Sequence, residues 1–251
     1  MTAWEPKGLS DKNSRSVTEA AYDRLRRDLM SGRLPPGGRL KINDLCLAMG
    51  LNLSAVREAL SKLSSEGFVI ALPHRGFRAA PVSRADLTDL TRARIEIETA
   101  CLKRSILLGD VDWETGVAAA AYAVDRTPTA SPIADPVGYE RWCLVHELFH
   151  RALCAACDST WLLRMRDTLF AQSERYRQLS IRSATKRRAA TDEHRVLATA
   201  VLERNTAQAV EIITSHFQIT SATLLDSLAT PAGAAEETAT LVRAGQLTNV
   251  G

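Results

Sequence analysis

The sequence predicts a mainly α-helical protein in two parts: an N-terminal winged helix-turn-helix followed by an antiparallel α-helical bundle. Three observations lead there. The 251 residues hold only nine prolines and thirteen glycines, and their many Ala, Leu, Arg and Glu favour helices. Three short amphipathic stretches precede two β-like runs joined by Pro73-His74-Arg75-Gly76. From Ser83 the apolar spacing stays helical to Leu228. The length suits one large or two modest domains, and an apolar share of 45% is that of a folded chain. No stretch reaches the roughly 20 apolar residues that cross a bilayer, and MTAWEPKGLSDKNSR lacks the apolar core of a signal peptide. The expected compartment is the cytoplasm, with no membrane partner.

The elements follow in order. Residues 1–14 read as a flexible leader. A first helix runs from Thr18 to Ser31 with Ala21, Leu25 and Leu29 on one face, and Gly32 ends it. Leu34-Pro35-Pro36-Gly37-Gly38 makes a rigid turn. A second helix spans Ile42 to Met49, with Gly50 as its left-handed exit. Asn52 or Ser54 caps a third, Ala55 to Gly67, with Val56, Leu60 and Leu63 inward. Strands Phe68–Leu72 and Phe77–Ala80 form the wing. That places the DNA-reading unit at 15–82 and an all-helical effector-binding and dimerisation unit at 83–228. In the second unit, Ser83 with Asp86 reads as a capping box for a helix closed by Gly109. Further helices are expected at Asp112–Asp125, Pro136–Cys157, Ser159–Ser180, Thr185–Glu203 and Thr206–Leu228, with a loop from Arg126 to Asp135 and a basic link around Lys186-Arg187-Arg188. The tail, 229–251, is small and polar.

Charge divides with the fold. Residues 14–80 carry eleven Arg/Lys against six Asp/Glu, a net of +5, within a chain whose total is +3. A basic reader joined to a slightly acidic unit suits nucleic-acid recognition. In a helix-turn-helix the third helix lays its N-terminal residues against base edges in the major groove. Here that segment presents Asn52, Leu53, Ser54 and Arg57. Arg57 suits a phosphate or a guanine edge, or else pairs with Glu58 on a solvated face. Arg75-Gly76 at the hairpin tip can approach the backbone or a narrow minor groove, since glycine leaves room there. Arg39 and Asn43, around the start of the second helix, are phosphate candidates.

Residues 15–80 resemble the DNA-binding domain of GntR-family repressors. The likeness rests on Pro36-Gly37 with Leu40, Leu45, the VREAL of Val56 to Leu60, Leu63, Glu66-Gly67 and Arg75-Gly76. Many members carry an arginine where this chain has Leu53. A direct guanine contact is thereby lost, a thymine methyl becomes the natural partner of Leu53, and a different operator is implied.

Four of the five histidines lie in the second part: His146, His150, His194 and His216. His146 and His150 are i, i+4 and share a helix face. A helical bundle can aim all four inward, which favours a metal site over four separate core histidines. Five cysteines (Cys46, Cys101, Cys143, Cys154, Cys157) are too few for a disulfide framework, and Cys154-x-x-Cys157 is a weaker, competing ligand pair. A second reading of the same histidines is a metal-dependent helical-bundle enzyme, a hydrolase or lyase with an accessory basic domain. No nucleophile motif accompanies them.

Residues 84–228 resemble the FCD ligand-binding domain of FadR-type GntR regulators, which implies an FCD-like bundle. The metal-binding branch draws its ligands from a D-x-x-x-H pair, a later His in an EH context and a last His. VHELFHRAL, DEHRVL and SHF supply His150, His194 and His216, with His146 where the aspartate stands. Four neutral imidazoles suit a divalent transition metal, zinc first and nickel second, over Mg²⁺ or Ca²⁺. The family's effectors are small organic acids held by metal and arginine. The likeness assigns Arg92, in an R-x-x-x-E pattern with Glu96, as the carboxylate clamp, ahead of Arg94 and Arg141. HELFHRALCAACDSTWLLRMRDTLFAQSERYRQLS resembles the CsiR-like subgroup, implying a dicarboxylate such as glutarate or a relative. The reading is a regulator rather than an enzyme: a homodimeric repressor on a pseudo-palindromic double-stranded operator, released by its effector.

Overall fold

The structure, a computed structural model, describes residues 16–130, 134–181 and 191–229. The expected leader, the tail beyond 229, the basic link at 186–188 and part of the 126–135 loop lie outside them. The chain divides into two compact units, Met1–Pro81 and Val82–Gly251.

In the first unit, α1 spans Val17–Met30, one residue earlier than the apolar spacing suggests, because Ser16 caps it. Ser16 Oγ accepts from the Glu19 amide at 3.1 Å, and Glu19 Oε2 accepts from the Ser16 amide at 3.3 Å. Two orphan donors are satisfied together. Helix α2 is Ile42–Met49, ended by Gly50 at φ 65, a left-handed turn that glycine adopts without strain. Helix α3, Leu53–Ser65, buries Ala55, Val56, Ala59, Leu60 and Leu63 against the Ala21, Leu25 and Leu29 face of α1. Burying each such leucine contributes about 1.5–3 kcal/mol. The wing gains a strand that periodicity misses. Two-residue β1, Arg39–Leu40, joins β2, Val69–Leu72, and β3, Gly76–Ala79, in an antiparallel sheet ordered β1-β3-β2. Leu40 opposes Phe77 and Val69 opposes Ala79, which sets Leu40, Val69 and Ala79 inward and Arg39 outward.

The second unit begins with α4, Arg84–Leu108. Ser83 Oγ accepts from the Asp86 amide at 3.1 Å, but the expected box does not close. Aspartate is one methylene shorter than the usual glutamate. The hydroxyl of Tyr176 substitutes, accepting from the Ser83 amide at 3.1 Å and donating to Asp86 Oδ2 at 2.5 Å. Next come α5 (Val111–Arg126), α6 (Pro136–Leu153), α7 (Thr160–Ile181), α8 (Thr191–Leu202) and α9 (Thr206–Ala229). Helix α6 stops four residues short of the expected Cys157, since Cys154 caps it and Cys154 to Cys157 form a turn. Helix α4 packs on α7 and α9, α5 on α6 and α8, and α8 on α9. Their shared core includes Leu102, Phe149, Leu153, Val201, Ile213 and Phe217.

Candidate nucleic-acid interface and metal centre

In the winged unit, the buried stripe of α3 leaves Leu53, Ser54 and Arg57 exposed on its opposite side. Leu53 is half exposed, at 50%. Asn52 is the N-cap, and its Oδ1 accepts from the Ala55 amide at 2.9 Å. That oxygen holds the helix end, so only the carboxamide NH₂ faces outward chemistry. Glu58 does not settle into a pair with Arg57 but accepts from the Thr18 hydroxyl at 3.2 Å. Asn43 is exposed in the first turn of α2, and Arg75 is exposed at the wing tip. Gly76 has φ 84 with nothing near the position of an added Cβ. Glycine adopts that φ without strain, and the space beside it is open. Arg39 sits opposite Arg78 across the sheet, both exposed. The sequence reading passed over Arg78; its alternation with buried Ala79 in a short strand was the available signal.

In the helical unit, three helices converge four imidazoles. His146 and His150 come from α6, His194 from α8 and His216 from α9, and one ligand atom from each lies within 4.8 Å of the others. Ring centroids are 4.6 Å apart for His146–His150, 5.0 Å for His194–His216 and 5.4 Å for His150–His216. All four rings are buried, His150 completely. The Nδ1 of His216 lies 2.8 Å from Glu193 Oε2, and that of His150 lies 3.7 Å from Glu98 Oε1. The Glu193 carboxylate on Nδ1 of His216 fixes the tautomer that turns its Nε2 toward a metal, while Glu98 stands near His150 without a hydrogen bond to it. Burial, and then the charge of neighbouring His194, pushes His146 well below the ordinary histidine pKa. Burial and then His146 do the same to His150. Neutral rings keep the lone pairs that metals need.

A metal fits this site on the structure's own terms. Nδ1 of His146 and both nitrogens of His150 are buried without a hydrogen-bond partner, a costly state for polar atoms. Nitrogen donors from four rings can hold a borderline-soft divalent ion. Trp142 stacks on His146 at 4.6 Å and 17°, and Phe149, Phe170 and Phe217 enclose the rings. Trp142, four residues before His146, was legible as a third member of the i, i+4 series.

The three candidate arginines separate by burial. Arg92 and Arg141 are exposed, so the structure does not bring them to the histidines. Arg94 is the buried one. The R-x-x-x-E spacing occurs twice in overlapping register, Arg92–Glu96 and Arg94–Glu98. A shift of two residues turns a helix by about 200°, to its other side. The pair that forms is Arg94 Nε to Glu98 Oε2, at 2.9 Å. Arg94 Nη1 donates to Ser173 at 2.8 Å, and the guanidinium lies 3.9 Å over the Phe217 ring. Its Nη2 is buried with no hydrogen-bond partner. A small cavity beside it is lined by Thr91, Ser173, Thr220 and Ser221. Glu98 is also shared by Arg166, at 3.4 Å. Sequence reasoning missed Glu98, which the second R-x-x-x-E spacing marks, and Arg166 and Ser173, which no local motif marks.

Comparison with known proteins adds what geometry leaves open. Residues 17–78 match the family described as bacterial regulatory proteins, gntR family, and residues 89–219 match the FCD domain. The chain is 35% identical over 207 residues to the uncharacterized HTH-type transcriptional regulator BphR of Paraburkholderia xenovorans, covering 82% of this chain and 84% of that one. It is 33% identical over 199 residues to the HTH-type transcriptional repressor GlaR of Escherichia coli, covering 78% and 90%. Among solved structures, E. coli McbR/YncC aligns with a TM-score of 0.68 at 19% identity, covering 86% of this chain and all of that one. A GntR regulator from Rhodococcus sp. RHA1 aligns at 0.64 and 21% identity, covering 84% and 99%. Among the described residues no helix is long and apolar enough to cross a membrane. A winged reader and a helical unit with a buried polar centre, matched along both parts, make this chain a transcriptional regulator of the gntR family, of the FCD-containing type.

Proposed function

We propose that this regulator is a homodimeric repressor that binds a pseudo-palindromic operator and releases it when a small organic acid enters the helical unit. Arg57, Leu53 and Ser54 read base edges, while Asn43, the Asn52 NH₂, Arg39 and Arg75 hold phosphates. His146, His150, His194 and His216 hold a divalent transition metal, zinc before nickel. When bound, the metal supplies Lewis-acid positions for an anionic ligand. Glu193 orients His216, and Arg94 receives a carboxylate on its free Nη2. The observation that carries this reading is that unpartnered Nη2, buried in the same unit as the four clustered imidazoles. A dicarboxylate such as glutarate suits a cationic ion at one end and a guanidinium at the other. The repressor sense draws support from the likeness to the transcriptional repressor GlaR. The ligand acts through its different affinity for operator-binding and released arrangements of the dimer.

Thermal melting with zinc, then with added glutarate and related diacids, tests the proposal. Zinc is expected to raise the melting temperature, with a further rise from a diacid that is lost in Arg94→Ala. A ligand at a hundred times its Kd stabilises by about 2.7 kcal/mol. Melting curves indifferent to zinc and nickel would overturn the metal assignment. Retention of operator fragments that no small acid releases would overturn the effector role.

A further inference from the structure

A second cluster of reactive groups lies apart from the histidines, at the turn between α6 and α7. Cys154 and Cys157 bracket that turn, the Cys157 amide donating to the Cys154 carbonyl at 3.1 Å. Helix α4 runs alongside and is tied to it at two levels. Below, Cys154 Sγ lies 3.9 Å from the Glu98 carbonyl, and a helical carbonyl points toward the residues three and four ahead, here Cys101 and Leu102. Above, Arg104 grips the Asp158 carboxylate with two nitrogens, Nη2 at 2.8 Å from Oδ2. Cys101 sits between Glu98 and Arg104 on the same helix, and its thiol is in hydrogen-bond contact with those of Cys154 and Cys157. All three thiols are free and belong to one buried cluster. Cys101 and Cys154 are fully buried, whereas Cys157 retains 6% exposure.

We infer that Cys101 and Cys157 are a peroxide-reactive dithiol that closes into a disulfide between α4 and the α6–α7 turn. Cys157, the member that touches solvent, is the thiol a small hydroperoxide meets first. Its thiolate attacks one peroxide oxygen, the O–O bond breaks, and an alcohol or water leaves as Cys157 becomes a sulfenic acid. Cys101 then attacks the Cys157 sulfur, the S–O bond breaks, and water departs. Two thiols and one hydroperoxide give one disulfide, one alcohol (water, for hydrogen peroxide) and one water. Contact with the Cys154 thiol holds the Cys101 thiol below its ordinary pKa, which suits the second step, while burial raises that of Cys157, so the first step quickens as pH rises. Closure would fasten the helix bearing Arg94 and Glu98 to the turn between the helices bearing His150 and Ser173. The inference needs neither metal nor effector.

Full-length protein, zinc-loaded and chelator-treated, is titrated with hydrogen peroxide, denatured, alkylated, and digested without reductant for peptide mass mapping. The expected result is loss of two of the five thiols and a linked peptide joining 101 to 157, two hydrogens lighter, that dithiothreitol reverses. Cys101→Ser and Cys157→Ser each lose that peptide, while Cys46→Ser and Cys143→Ser keep it. Five alkylatable thiols after treatment, oxidation confined to Cys46 or Cys143, or a link only between 154 and 157 would overturn the inference. Should Cys101→Ser fail to fold by circular dichroism, the wild-type map decides alone.

Discussion

The winged unit carries its working side chains outside its core, whereas the helical unit carries them inside. On α3 the apolar face and the presented face are opposite sides of one amphipathic helix. Arg57 and Leu53 are exposed there because Val56, Leu60 and Leu63 are buried. On α4 and α6 the buried face itself bears Arg94, Glu98, His146 and His150. Two consequences follow. Changes to the outer set should alter binding and leave stability alone. Changes to the inner set should alter both, because each removed group leaves a buried partner unsatisfied.

The sharpest break between the two regions is His150→Ala. Metal measured by plasma emission spectroscopy should fall from about one ion per chain to near none, with operator retention at low salt preserved. Next in size, Arg94→Ala leaves Glu98 with one pairing arginine fewer. A loss of about 3–5 kcal/mol by chemical denaturation is expected, together with loss of the diacid response. Leu25→Ala, in the fully buried core of the winged unit, should cost about 2–5 kcal/mol. Arg57→Ala should weaken operator binding by about 1–3 kcal/mol in a gel-shift titration while its melting temperature stays that of the parent; a large drop in melting would place Arg57 in the core set instead.

Acidity separates the regions more gently. His146 and His150 are held well below the ordinary histidine value of 6.5, so the unfolded chain binds protons there that the folded chain refuses. The metal-free protein should therefore lose stability as pH falls through about 6.5, by about 1.4 kcal/mol per pH unit for each such histidine until the folded ring itself protonates. Denaturation midpoints between pH 7.5 and 5.5, with chelator, check the sign. Arg92→Ala should be the smallest change, within about 0.5 kcal/mol and with the diacid response intact. A lost response would restore Arg92 as the clamp and undo the assignment to Arg94.

The same inside–outside contrast explains what could be seen in the sequence. Helix spans in the winged unit were legible because burial there follows periodicity, with Gly50 and the Pro35-Pro36 turn as punctuation. Two-residue β1 was not, since two residues cannot show a period. The four histidines were legible through the i, i+4 pair and the likeness to a known domain. The arginine was not. Arg92–Glu96 and Arg94–Glu98 present identical spacing, and only the packing of α4 on α7 and α9 decides between them. Glu98 meets Arg94 from the same helix, but Ser173 comes from α7, a convergence with no local mark. The end of α6 was misplaced because Ala155 and Ala156, good helix formers, occupy a turn that tertiary contacts impose.

The absence of any acid among the four nitrogen donors has a bearing on selectivity. On the proposed function, a doubly positive ion held by these four rings would meet its guest with no acid among its own ligands, Glu98 and Glu193 standing one layer behind. Such a chamber would sort its visitors by electroneutrality before shape: a guest bearing two negative groups would balance it, and an uncharged amide of the same outline would not.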